Sequence, residues 1–312
     1  TKRAQRAGVG RTSTTRVYRP DAIPNQSGTT RRLSDEEQVR PAPPPVPLPP
    51  EPPREPPPPR VELPETIEER FVLIQKRLGE ADEAFRREYQ ESFDMSWIYH
   101  DSALEGTVYT FQELKTAIDP SITVVPDSSL QPVCEEIRRH KAAIELVREL
   151  GEKKRATISV DTIKKIFLTL HPEEGDLKSV KYRKDIPQHR LYFHEYAAPD
   201  KIAYKVRQVI DWLNGPEPKK IKHPLRIASR VHYDLLRVFP FALDSGKVVR
   251  LLMNLILLRS GYPPSIIHST ERQRYYEALK SSLPTIASMM NEAILNGLAS
   301  IEKKLDEHDL RR

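Results

Sequence analysis

The stretch RPAPPPVPLPPEPPREPPPPR, residues 40–60, limits what this chain can fold into more than any other feature, because 13 of its 29 prolines fall there. Each proline fixes φ and removes a backbone donor, so the run can be neither a helix nor a central strand. It reads as a polyproline II spacer over residues 40–64, rising about 3.1 Å per residue. Within it, Pro49, Pro52 and Arg54 match a PxxPx+ docking pattern. So dense a proline run makes that match almost unavoidable, and the segment is read as a spacer. Upstream, Thr1–Arg32 holds eight Lys/Arg against Asp21 alone and has few apolar residues. That composition predicts a disordered basic arm over residues 1–39. The whole chain is formally +6, and Thr1–Arg32 alone contributes +7, leaving everything after it near −1. The folded part therefore offers no electrostatic footprint for nucleic acid.

A single cysteine, Cys134, excludes an internal disulfide and fits a reducing compartment. The longest apolar run, Leu251–Leu258, is interrupted by Asn254 and flanked by Arg250 and Arg259. It is far shorter than the roughly 18 apolar residues a membrane span needs. No signal peptide is visible in a sequence that begins at Thr1, so a cytoplasmic protein is expected.

From Thr66 onward the pattern is helical. Thr66 and Glu69 stand at capping-box spacing before an amphipathic run, and Thr110 and Glu113 repeat the device. Residues 129–150 form a third amphipathic pattern. Another helix is expected between a Ser159 cap and the stop at Pro172, and one more before Asn214–Gly215–Pro216. Pro224 sits in the first turn of the next, where its missing N–H costs nothing. Helices are also expected over 251–259, 271–279 and 283–305. Lys181–Ile202, aromatic, basic and broken by Pro187 and Pro199, has no helical period and reads as an irregular excursion or short hairpin. The expectation is an all-α domain with one β-hairpin-like flap.

Residues 232–264, HYDLLRVFPFALDSGKVVRLLMNLILLRSGYPP, followed by RYYEAL at 274–279, resemble the core of the Fic (Fido-fold) family. The resemblance spans roughly Thr66–Leu283 and implies a Fido-fold helical bundle. It suggests N-terminal helices over 65–158, a Fic core over 159–283 and a C-terminal helix over 284–312. The family's motif commonly reads H-P-F-x-x-G-N-G-R-x-x-R. The resemblance implies transfer of a nucleotide monophosphate, from ATP or another nucleotide with magnesium, to a hydroxyl of a target protein. The motif histidine would be the general base, and the glycine-rich turn and helix N-terminus would hold phosphates.

Pro240, Phe241, Gly246 and Arg250 agree with that pattern, but the base position is Phe239. Phenylalanine has no proton acceptor, and general-base help is worth roughly 10²–10⁴-fold. The usual metal-ligand position is Leu243, with Asp244 one residue later as the remaining metal candidate; Ser245 replaces the asparagine and Lys247 the first arginine. Lys247 can neutralise phosphate as a point charge without the bidentate fork of arginine. The resemblance places Asp244, Ser245, Gly246, Lys247 and Arg250 at the nucleotide, with Ser245 and the helix N-terminal amides holding an anion, although DSGK is also an ordinary helix start. The resemblance further places Tyr275 and Tyr276 near the nucleotide base. It places Tyr192, Phe193 and His194 in a flap on which a target protein docks. The asparagine expected seven residues beyond Tyr276 is Leu283.

Upstream, YHDSALEGTVYTF, residues 99–111, resembles the family's inhibitory helix, with Glu105 and Gly106 in place and Asp101 where serine or threonine is usual. Glu105 would pair with Arg250; alternatively, Ser102 and Glu105 are at capping-box spacing and satisfy only a helix end. Among other histidines, His232 lies about two helical turns before Phe239 and reads as structural, while His189 and His194 fall in the flap. Three readings stay open: a divergent Fic-like domain, a pseudoenzyme or binding module, that binds a nucleotide or phosphorylated ligand; a transferase using Lys247, Asp244 or a flap histidine; and a non-catalytic scaffold. A homodimer is left open as well.

Overall fold

The computed structural model describes residues 66–311 apart from 125, 127, 189–191, 194 and 222. The basic arm, the proline run, His189 and His194 lie outside the described residues. Residues 61–312 belong to one compact unit. Its elements are α1 (Ile67–Glu80), α2 (Glu83–Glu105), α3 (Phe111–Ile118), α4 (Leu130–Glu152), α5 (Val160–Leu170) and α6 (Ile202–Asn214). There follow α7 (Pro216–Lys220), α8 (Pro224–Val238), α9 (Ser245–Arg259), α10 (Arg272–Ser281) and α11 (Leu283–Asp309). Among the described residues no helix is long and apolar enough to cross a membrane.

The local rules act where the residues predict them. Thr66 and Thr110 close capping boxes with Glu69 and Glu113, and Ser159 caps α5 through Thr162. One break went unread: residues 67–105 are two helices, because the Asp82 carboxylate accepts from Phe85 N at 2.8 Å and starts α2 afresh.

Helix α9 is the axis of the unit. Every residue from Ser245 to Leu257 is buried, as expected of a helix apolar almost all round. It packs against α8, α4 and α5, while α11 lies on α8, α10 and α1. Because α9 is buried, any charged residue on it must find an internal partner.

The segment 181–198 carries no strand among its described residues, in place of the expected hairpin-like flap. Its backbone is tied to α8 and to the loop beyond it. Arg183 N donates to Pro240 O at 2.9 Å and Ala197 N to Arg237 O at 3.1 Å. The buried Arg183 guanidinium adds bonds to Phe239 O (2.6 Å), Val238 O (2.9 Å), Asp185 O (2.8 Å) and Ala197 O (2.5 Å). A cation on the last carbonyls of α8 satisfies groups the helix leaves open and complements its dipole. Arg183→Ala strands these buried carbonyls, which predicts a loss on the order of 3 kcal/mol. A calorimetric scan should read this as a Tm roughly 6–12 °C lower, only partly restored by Arg183→Lys, which lacks the fork.

Candidate functional site

The loop between α8 and α9 contains both non-glycine residues with positive φ among those described, Phe239 (φ 50) and Asp244 (φ 48). Such residues store local strain and need surrounding contacts to hold them. Phe239 caps α8 through its N–H to Leu235 O and is 6% exposed. Its ring packs 5.7 Å from that of Tyr192 and 5.2 Å from that of Tyr196. Phe241 stacks on Phe167 at 4.1 Å. The Ser245 hydroxyl accepts from Phe241 N at 2.7 Å and donates to Phe241 O at 2.8 Å. Its proton thus closes the loop, where the sequence reading had the residue holding an anion.

At the start of α9, a Cβ on Gly246 would overlap the Glu105 carboxylate and the Tyr192 phenol oxygen. Glycine is needed here for close approach, and what approaches is the chain's own acid and phenol. Glu105 is the last residue of α2, with Gly106 left-handed behind it (φ 98). Ser102 lies inside α2, so the alternative capping box does not form. The Arg250 guanidinium is fully buried among Asp101, Glu105 at 2.7 Å and the Tyr192 hydroxyl at 3.3 Å; Nη2 also reaches Asp101 O at 3.2 Å. The Tyr192 hydroxyl in turn donates to Glu105.

Asp101 carries a second partner, His140, whose Nε2 lies 3.0 Å from Oδ2. Burial alone would raise the Asp101 carboxyl, yet the Arg250 charge and His140 outweigh it and bring it down to about 2. Burial pushes the Tyr192 phenol well above its ordinary value, and the Glu105 charge pushes it further, so it stays protonated.

Lys247 and Asp244 form a neighbouring cluster. Lys247, 3% exposed, lies 3.1 Å from Asp244 and 3.5 Å from Glu136. Burial works against its charge, but these acids hold it above the usual lysine value. The other Asp244 oxygen meets His171 Nε2 at 2.9 Å, and His171 Nδ1 faces Glu173 at 3.0 Å. The bond to Asp244 raises His171 most, against burial. A ring with a carboxylate at each nitrogen is the pattern of a doubly protonated imidazolium, which cannot serve as a base.

Tyr275 and Tyr276 are buried and set edge-on to the Tyr192 ring at 6.3 and 5.2 Å. The Tyr275 hydroxyl bonds His232 Nε2 at 2.8 Å, and the Tyr276 hydroxyl donates to Leu104 O. Burial, with Arg250 adding to it, lowers His232 to about 3, so this ring is neutral and structural. Phe193 is buried against Tyr233 (5.3 Å) with Arg237 over it (5.0 Å).

The structure thus brings Glu105, Tyr192, Phe239, Gly246, Arg250, Tyr275 and Tyr276 to one place. Asp244 and Lys247 stand beside it, and Gly106 and Phe193 at its edges. Sequence reasoning passed over Glu136, His140 and His171, and took Asp101 only as a departure from the inhibitory-helix pattern. Only Asp101 had left a signal, one helical turn before Glu105 on the same face. The residues present do not fit a resident magnesium ion. Leu243 is apolar and 53% exposed, both Asp244 oxygens are taken, and no group of three or more His, Cys, Asp or Glu among the described residues could hold a metal.

Residues 157–257 match the Fic/DOC family. A protein adenylyltransferase Fic of Nematostella vectensis is 31% identical over 59% of this chain and 42% of its own length. The protein adenylyltransferase fic-1 of Caenorhabditis elegans is 28% identical over 63% of this chain and 38% of its own. The chain therefore spans about two fifths of the length of these relatives. Among solved structures, a Fic-domain-containing signaling protein from Bacteroides thetaiotaomicron superposes with a TM-score of 0.63 at 21% identity, over 78% of this chain and 98% of that one. Residues 134–508 of C. elegans Fic-1 give 0.59 at 23%, over 79% and 74%. These likenesses establish the fold. Residues 157–257 are thus a Fic/DOC-family domain, set in a Fic-type helical fold.

Proposed function

We propose that this chain is a Fic-domain protein whose nucleotide site is held shut by its own Glu105 and Tyr192. On opening it binds a nucleoside triphosphate such as ATP, but does not pass the nucleotidyl group to a hydroxyl by general-base catalysis. One observation carries the reading: the glycine that would admit a phosphate to the α9 N-terminus instead faces the Glu105 carboxylate and the Tyr192 phenol.

The electrostatics agree. The buried cations Lys247 and Arg250 are already matched by Asp101, Glu105, Asp244 and Glu136. A triphosphate added to that cluster would meet net negative charge, so Glu105 must leave before the anion enters. Once it leaves, Arg250 keeps Asp101 and gains a free edge, and the Tyr192 hydroxyl, which lies as close to Gly246, must turn aside for a phosphate to reach the α9 N-terminus. Magnesium would arrive with the nucleotide.

The transfer half of the family's chemistry lacks its acceptor. Phe239 stands at the family's base position, and His171, the described histidine that bonds the motif loop, is committed to two carboxylates. A protein partner on 181–198 would meet irregular coil instead of a free strand edge. The buried free Cys134 and the use of a nucleotide favour the cytoplasm as the compartment.

Titration calorimetry with ATP and magnesium tests the gate. Glu105→Gly should bind at least about tenfold more tightly than the unaltered chain, the size expected when one charge-assisted contact is released. Adding Lys247→Ala to that variant should abolish binding. Neither the unaltered chain nor Glu105→Gly should pass label from α-labelled ATP to protein; Lys247-dependent labelling would overturn the reading, and equal affinities with and without Glu105 would remove the gate.

Stability against pH provides a second check. Asp101 is depressed from 3.8 to about 2, so its contribution, about 2 kcal/mol, is present above pH 4 and lost as pH falls through about 2. His171 is raised above 6.5, so its contribution is full below that value and lost as pH rises through the folded pKa. Scanning calorimetry should show Tm falling from pH 4 to 2.5 and again, modestly, above 6.5. His171→Asn should remove the second slope; a Tm rising above pH 6.5 relative to that variant would contradict the assignment.

A further inference from the structure

Helix α2 has a second working face. Asp101 and Glu105 turn toward α9, whereas Phe93, Trp97 and His100 line a cavity of about 1000 Å³ between α1, α2, α4, α11 and the segment 261–271. Its lining runs from Arg86 to His100 on α2 and from Met289 to Lys304 on α11, about 20 Å at 1.5 Å per residue. Lys304 Nζ reaches Ser92 Oγ at 3.1 Å near one end, and the His100 and His268 rings meet at 3.9 Å near the other.

The space is built from small side chains. A Cβ on Gly297 or Gly79 would meet nothing within 4 Å, and Ser96 and Ala293 also line the cavity. The volume is at the upper end for small-molecule pockets, which pair an apolar lining with a few convergent polar groups.

The polar groups are cationic. Arg274 is paired with both Glu271 and Glu292 at 2.9 and 2.7 Å. The lining's cations, Arg86, Arg148, Lys154, Arg274 and Lys304, still exceed its acids, Glu152, Glu271 and Glu292, by two. Arg148 is the best placed: Nη2 bonds Asp94 at 2.5 Å, and the guanidinium lies 5.8 and 5.6 Å from the Phe93 and Trp97 ring centres. Its other N–H groups have no protein partner among the described residues. His100 is lowered to about 4, chiefly by burial and then by His268, so it adds a neutral hydrogen-bonding ring to the wall.

We propose that this cavity binds an organic anion with an apolar body, a carboxylate or sulfonate on a hydrocarbon or aromatic frame. The charged end meets Arg148, and the body lies along Phe93, Trp97 and the small-residue face of α11. Nothing in this depends on the motif site being open or shut.

Fluorescence titration of the full chain with 8-anilinonaphthalene-1-sulfonate tests it. One saturable site is expected, emptied by decanoate and not by decylamine. Gly297→Leu fills the cavity while improving helix propensity, so the variant should fold with an undiminished Tm and lose the probe by at least about tenfold. Arg148→Gln should weaken it to a similar degree. Unchanged probe affinity in folded Gly297→Leu, equal displacement by decylamine, or no saturable site would each overturn the proposal. Saturation by a Leu/Glu amphipathic peptide with decanoate inert would overturn it in favour of a protein partner.

Discussion

A buried guanidinium organises this unit. Arg250 lies on the central helix, 3% exposed, where an uncompensated charge would cost several kcal/mol. Two carboxylates and a backbone carbonyl from α2 and a phenol from the 181–198 segment converge on it. Asp101 is the deep partner, fixed from behind by His140. Glu105 is the shallow one, the last residue of its helix with a left-handed glycine behind it. The pair is therefore asymmetric, and the outer acid can leave without stranding the arginine. Removing Asp101 would do more damage, since its loss leaves His140 and Arg250 facing each other with no anion between them.

The motif loop shows the same economy. Phe239 is a buried apolar ring that contributes packing to Tyr192 and Tyr196. Its left-handed backbone is held by Arg183, whose side chain binds the carbonyls of residues 238 and 239. The coil that supplies Arg183 also supplies Tyr192, so one segment both anchors the loop and occupies the site. A hairpin would have used those backbone groups in its own ladder. Tying them to α8 and Pro240 instead explains why the segment has no strand among its described residues.

Local chemistry was the legible part of the fold. Capping boxes at Thr66 and Thr110, the Ser159 cap and the proline stops depend on neighbours three or four residues away, which a sequence displays directly. The Asp82 break was hidden because the apolar spacing continues across Ala81. In the site, the facing of Glu105 and Arg250 was readable only through the family's pattern, since no local rule joins residues 145 apart. His171 stands just before the terminating Pro172, where no local rule marks it, and its partnership with Asp244 arises from tertiary packing of α5 on α9. Ser245 erred the other way: its residue type suits an anion site, but the nearest unsatisfied backbone groups belong to Phe241 and claim it first.

The two faces of α2 explain how one helix bears both an acidic gate and an aromatic wall without conflict. A helix places residues 93, 97, 100 and 101 within about two turns, and successive positions diverge by 100°. His100 and Asp101 are therefore neighbours in sequence and point to different environments, one lowered by burial and the other held ionised by Arg250. Displacing α2 enough to free Glu105 would also disturb the cavity wall, because Trp97 and Glu105 ride on the same hydrogen-bonded rod. Opening by fraying of the last turn, Ser102–Glu105, would disturb it far less. The left-handed Gly106, the absence of a basic residue in that turn and the partial exposure of Glu105 all favour the local route, in which the gate moves and the rod stays.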